Sequence, residues 1–160
     1  MADKQAQFLF HHPNAPRPNV PLQPGVCAVI HDSGGRVLLI RRTDGPYWCL
    51  PGGRIDIGES AAICCQREVY EETGLTVSLV RIIGIYTDPA SICVYPDGNI
   101  HQSFVIGFET KVEDGSLNTS DESSAVEWFP PEEALKLNLI PDSRLCLIDL
   151  LANQTTAFIR

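Results

Sequence analysis

Between Ser60 and Gly74 the chain runs from Ala61 to Thr73 without glycine or proline, and β-type apolar runs flank this stretch on both sides. A serine accepts hydrogen bonds from the orphan N–H groups of a helix start, and a glycine adopts the left-handed angles of a helix end, so the spacing predicts one helix over 61–73. A helix inserted between strands makes this a chain of mixed helices and strands, an α/β class rather than an all-α or all-β one. Upstream, Val26 to Ile30 and Arg36 to Arg41 read as the arms of a hairpin turning at Asp32-Ser33-Gly34-Gly35. Downstream, Leu75 to Tyr86 reads as a strand, Ser91 to Tyr95 and His101 to Thr110 as a second hairpin, and Val126 to Phe129 as a short strand. Pro131 to Leu135 and Ser143 to Ala152 read as helices.

A length of 160 residues suits one domain with a substantial core. Residues 1–25 hold Pro13, Pro16, Pro18, Pro21 and Pro24, each of which fixes φ and removes a backbone donor. This stretch is therefore expected as an extended arm ahead of a domain covering 26–160, and such an arm is a candidate contact in a homodimer. No segment approaches the roughly 20 apolar residues that span a bilayer, and Phe8-Leu9-Phe10 is too short for a signal peptide's apolar region. A cytoplasmic location is expected. The six cysteines form no C-x-x-C pair and mostly sit within apolar runs, which suits buried, reduced thiols. A formal net charge of −8 repels nucleic-acid backbones and anionic lipid, so neither is an expected partner.

At 100° per residue, Ala62, Cys65, Val69 and Thr73 form one stripe of the helix over 61–73, suited to a core, while Glu68, Glu71 and Glu72 crowd a neighbouring face. Each like-charge pair at this spacing costs a few tenths of a kcal/mol. All three acids lie in the C-terminal half, where the helix dipole disfavours anions, so neither capping nor the dipole explains them. A divalent cation would offset the repulsion, because hard ions take oxygen ligands and helical spacing converges carboxylates onto one ion. A solvated acidic face is the alternative that the helix alone leaves open.

The wider frame is Gly53-x5-Glu59-x7-Arg67-Glu68-Val69-x-Glu71-Glu72-x-Gly74-Leu75. It resembles the Nudix box, G-x5-E-x7-R-E-U-x-E-E-x-G-U with U aliphatic, at every specified position. The likeness in element order covers about residues 25 to 150. The resemblance implies an α/β/α sandwich around a mixed β-sheet and a hydrolase that cleaves a nucleoside diphosphate linked to another moiety, using Mg²⁺ or Mn²⁺. It further implies metal ligands at the Gly52 carbonyl, Glu68 and Glu72, with Glu71 as a further ligand or base. Glu59 would support this set, and Arg67 would hold the cluster through ion pairs. Many Nudix enzymes recruit a later loop glutamate as general base, a place that Glu122 occupies here, with Asp121 as its nearest rival.

Substrate choice lies outside the box. A nucleobase needs a stacking surface, for which Tyr47, Trp48, Tyr86, Tyr95 and Trp128 are candidates, with Trp48 and Tyr86 foremost. Each also suits a plain core position. Arg41 and Arg42 end the second strand, where a guanidinium suits a phosphate as well as an edge-strand charge. ADP-ribose pyrophosphatases often carry a proline some fifteen residues past the box, and Pro89 stands fourteen past Leu75. ADP-ribose or an NDP-sugar is therefore the expected substrate. The alternatives are a (d)NTP of the nucleotide pool, as in MutT-like enzymes, and a non-catalytic module that senses a nucleotide metabolite.

Overall fold

The computed structural model describes residues 5–160. In chain order the elements are β1 (Gln7–Phe10), β2 (Gly25–His31), β3 (Val37–Arg42), β4 (Trp48–Cys49), β5 (Gly52–Arg54), α1 (Ala61–Thr73), β6 (Leu75–Tyr86), β7 (Ser91–Val94), β8 (Ile100–Gln102), β9 (Val105–Gly115), β10 (Ser123–Phe129), α2 (Pro131–Ala134), α3 (Pro141–Leu151) and β11 (Phe158–Ile159). A mixed sheet runs β10-β3-β2-β9-β6-β11, with β4 paired to β3 and β5 to β2. Within it β2 and β9 are parallel, whereas β3 and β10, and β6 and β9, are antiparallel. A small second sheet is ordered β1-β7-β8.

The apolar run of β2 is buried on both faces, as a strand covered by helices on each side must be. On one face Val26, Ala28, Ile30 and Leu38 meet Cys64, Cys65 and Val69 of α1. On the other, Cys27, Val29, Val37 and Leu39 meet Ala134 of α2 and Cys146, Leu147 and Leu150 of α3. The result is the α/β/α sandwich around a mixed sheet. All six cysteines are buried free thiols. Among the described residues, no helix is long and apolar enough to cross a membrane.

Helix α1 has the ends its sequence signals. The Ser60 hydroxyl accepts from the Ile63 N–H, and Gly74 takes φ +75° while its N–H donates to the Tyr70 carbonyl. The buried stripe differs from the expected one at its start. Ala62 is exposed, because the core reaches the first turn on the side of Ala61 and Cys64, and Glu72 joins Cys65, Val69 and Thr73 among the buried residues.

The expected second hairpin also divides. Its first arm, β7, pairs with β8 from Ile100 only as far as Gln102. The Ser103 N–H then binds the Ser91 carbonyl, the Phe104 carbonyl accepts from the Gly25 N–H at 2.8 Å, and from Val105 the chain pairs with β2 and β6. Residues 103–104 thus carry the backbone from the small sheet to the large one. Within the Pro-rich arm, Gln7–Phe10 is a strand rather than unpaired chain, hydrogen-bonded to β7 as an edge.

Replacing the cap that starts α1 tests how the helix is anchored. Ser60→Ala should cost about 1 kcal/mol, a fall in Tm of roughly 2–4 °C for a domain of this size. A melt unchanged by the substitution would show that the cap contributes nothing.

Candidate active site

The last two turns of α1 face β5, and both glycines of that strand serve the approach. A Cβ added at Gly53 would lie 2.4 Å from one Glu68 carboxylate oxygen, and one at Gly52 would lie 2.1 Å from the Val26 carbonyl oxygen. Only hydrogen atoms let the strand come this close to both its neighbour and the acid. The Gly52 N–H then donates to Glu72 Oε2 at 2.8 Å.

Arg67 sits inside the acidic group. Its Nε and Nη2 fork onto Glu59 Oε1 and Oε2 at 2.6 and 2.9 Å, while Nη1 reaches Glu68 Oε1 at 2.8 Å and Glu71 Oε2 at 3.1 Å. Nη2 also donates to the Arg54 carbonyl at 3.2 Å, which ties the helix to β5. A planar guanidinium can hold several carboxylates in fixed directions, which a lysine point charge cannot. Paired with Arg67 and the Asp56 N–H, Glu59 is held well below the usual carboxylate range, at about 2.

Glu72 has the opposite environment. It is 8% exposed, and burial pushes its carboxyl up to about 8 despite the Gly52 N–H, with the charges of Glu68 and Glu122 adding to the effect. Burial also raises Glu68 against the pull of Arg67. A buried carboxylate is costly unless a cation or several donors face it. In the present arrangement Arg67 draws Glu59, Glu68 and Glu71 to itself, and among the described residues no three His, Cys, Asp or Glu side chains already form a metal-binding group. The donor set is nevertheless all oxygen and strongly anionic, which suits Mg²⁺ or Mn²⁺ rather than a soft ion. Glu68, Glu71, Glu72, Glu122 and the Gly52–Gly53 backbone line one cleft together with Arg42 and Arg67. Both oxygens of Glu59 are taken by Arg67, so its placement is that of a brace.

Glu122 reaches this cleft because its carbonyl accepts from the Thr43 N–H and hydroxyl, binding the loop before β10 to the end of β3. Asp121 is not among the residues lining the cleft. Arg42 lines it, but Arg41 leaves β3 on the other face and is exposed.

The two aromatic residues placed foremost for stacking lie elsewhere. Trp48 packs into the core beneath α2 and α3, edge-on to Phe129 with ring centroids 5.1 Å apart. Tyr86 is 2% exposed, and its hydroxyl donates to the buried Asp149, which Arg160 grips through Nε and Nη2. Core and stacking aromatics look alike in sequence, and burial separates them. In their place an apolar cavity adjoins the acidic cleft, lined among others by Phe8, Cys27, Cys93, Tyr95, Phe104 and Asp142. Arg42, Gly52, Gly53, Arg54 and Tyr95 line both spaces, so the two adjoin each other.

Asp142 was not singled out by sequence reasoning, which began the last helix one residue later. It lies in the first turn of α3, where the helix dipole favours an anion. Ser91 and Ser103 donate to its two carboxylate oxygens, and burial raises its pKa against those bonds. A proline followed by an acid at a helix start is the only sequence signal, and it reads equally well as dipole complementarity.

The Arg67–Glu59 pair carries a pH signature. A lowered folded pKa contributes stability above the ordinary value near 4.5 and loses it as pH falls towards 2. Denaturation of Glu59→Gln without metal should therefore show a shallower loss of stability across pH 4.5 to 2 than the parent chain. Equal slopes would contradict the pairing.

The chain is similar to known proteins in the same region. A profile of the NUDIX domain matches residues 21–150. A MutT-like protein of Streptomyces ambofaciens is 35% identical over 108 residues, covering 68% of this chain and 64% of that protein. An ADP-ribose pyrophosphatase of Methanocaldococcus jannaschii is 31% identical over 111 residues, covering 68% of this chain and 62% of its own length. The chain thus spans less than two thirds of the length of these relatives. Among solved structures, the Escherichia coli ORF135 protein superposes with a TM-score of 0.63 at 26% identity, covering 83% of this chain and 91% of that one. With the glutamate-bearing helix, its arginine brace and the sandwich that frames them, the match over residues 21–150 places this chain in the Nudix family.

Proposed function

We propose that this chain is a divalent-metal-dependent pyrophosphohydrolase that cleaves a nucleoside diphosphate linked to another moiety by attack of water on phosphorus. The observation that carries this reading is that the acidic cleft and the apolar cavity lie side by side, sharing Arg42, Tyr95 and the Gly52–Arg54 strand as lining. A nucleoside fits the apolar end and the anhydride the acidic end, where anionic side chains can serve a phosphate only through bound cations.

When bound, Mg²⁺ or Mn²⁺ supplies charge to the phosphoryl oxygens and lowers the pKa of a bound water. Glu68 and Glu72, with Glu71 and the Gly52 carbonyl, are the groups that would hold it. Arg67 fixes the directions of Glu68 and Glu71, and the Gly52 N–H that of Glu72, so little reorganisation is left for the reaction itself. Glu122, in the same cleft and exposed, is the carboxylate free to accept a proton from the attacking water. Arg42 meets the phosphates between the two ends.

ADP-ribose and the NDP-sugars are the first substrates of this class to test. Asp142 favours a second reading within the same chemistry. A buried carboxylate accepts best from two adjacent donors, which the N1–H and N2–H groups of guanine present and the edge of adenine does not. Guanine-bearing substrates, including an oxidised (d)GTP, would use that match.

A panel of ADP-ribose, NDP-sugars, dinucleoside polyphosphates and (d)NTPs with each metal decides among them, with ¹⁸O-water identifying the phosphorus attacked. Glu72→Gln should lower turnover of any accepted substrate at least about a hundredfold, and chelation should abolish it. Full activity in either case would overturn the assignment.

A further inference from the structure

Phe8 stands outside both apolar cores of the sandwich. It lies in β1, opposite Cys93 of β7, and its ring lines the cavity proposed for the nucleoside. Around it the contacts are aromatic and cationic. Tyr47 meets its ring edge-on at 5.1 Å, Tyr95 at 6.2 Å, and the Arg42 guanidinium carbon sits 5.2 Å from its centroid.

The residue just before this strand reaches Arg42 by a second route. The Ala6 N–H donates to the Asp44 carbonyl at 2.8 Å, and the Asp44 carboxylate takes Nε of Arg42 at 2.7 Å as well as its Nη2. Arg42 is therefore fixed from two sides, by a ring on its face and a carboxylate on its fork. Arg42 lines both the cavity and the cleft, so a polyphosphate reaching from one to the other would lie beside its guanidinium. An edge strand needed only for pairing would require no aromatic residue aimed inward at an arginine.

We propose that β1 is part of the substrate site: Phe8 forms a wall of the nucleoside cavity and, with Asp44, positions Arg42 for the bridging phosphates. This rests on the hydrolase reading above and adds to it a determinant that lies outside the box and far upstream in the chain. An aromatic wall contributes roughly tenfold in affinity for a nucleotide, and it tolerates a second aromatic in the same place.

The test uses the full chain and calorimetric binding of ADP and GDP, alongside KM and kcat for whichever substrate the panel yields. Phe8→Ala should weaken nucleotide binding and raise KM about tenfold, with kcat at saturation within about threefold of the parent. Phe8→Tyr should stay close to the parent in both. Leu9→Ala, on the opposite side of the same strand, should bind normally, which separates loss of the wall from loss of the strand. If Phe8→Ala binds as the parent does, or Leu9→Ala is weakened equally, the role given to Phe8 is overturned while the hydrolase reading stands. If the parent neither binds nor hydrolyses any nucleotide, the hydrolase reading falls and this inference falls with it.

Discussion

Repulsion among Glu68, Glu71 and Glu72 on one face of α1 is the constraint around which the rest of the site is arranged. The fold answers it with one guanidinium, Arg67, placed so that its donors reach Glu59, Glu68 and Glu71 at once. This answer is incomplete by design of the surroundings. Glu72 is left on the buried side, bonded to a backbone N–H, with its carboxyl pushed up to about 8. A cation brought from outside would stabilise a group in that position, so the crowding that costs stability in the protein alone is what the proposed metal and polyphosphate would relieve.

The sheet makes this crowding possible. Because β2 is covered on both faces, α1 is pressed against a rigid floor, and the two glycines of β5 let its last turns approach within contact of the strand. The small sheet of β1, β7 and β8 closes the other end, with Ser91 and Ser103 both donating to Asp142 of α3. Two adjoining spaces are thereby built from elements far apart in sequence. The acidic one comes largely from a local motif, and the apolar one from long-range pairing.

That division explains what the sequence disclosed. The ends of α1 were legible because Ser60 and Gly74 act through local geometry, and the carboxylate cluster because helical spacing maps directly onto a face. Arg42 was singled out with Arg41 as a charge at a strand end and Glu122 through the Nudix resemblance, and the tie from Thr43 to the Glu122 carbonyl brings Glu122 to the cleft that Arg42 lines. The failures were non-local. β1 is an edge strand whose pairing comes from β7, and its Pro-rich surroundings hide its alternation. Tyr86 and Trp48 carried no mark distinguishing a stacking platform from a core residue until Asp149 and Phe129 were seen against them. Asp142 was passed over because an acid at a helix start already has an electrostatic reason to be there.

The central claim is that these carboxylates converge on a divalent cation. Titration of the protein with Mn²⁺, following the free-ion signal by electron paramagnetic resonance, measures that directly. The parent chain should remove Mn²⁺ from solution, more tightly with a nucleotide present, and a chain carrying both Glu68→Gln and Glu72→Gln should lose this uptake while keeping its fold. Equal uptake by the two proteins would contradict the account.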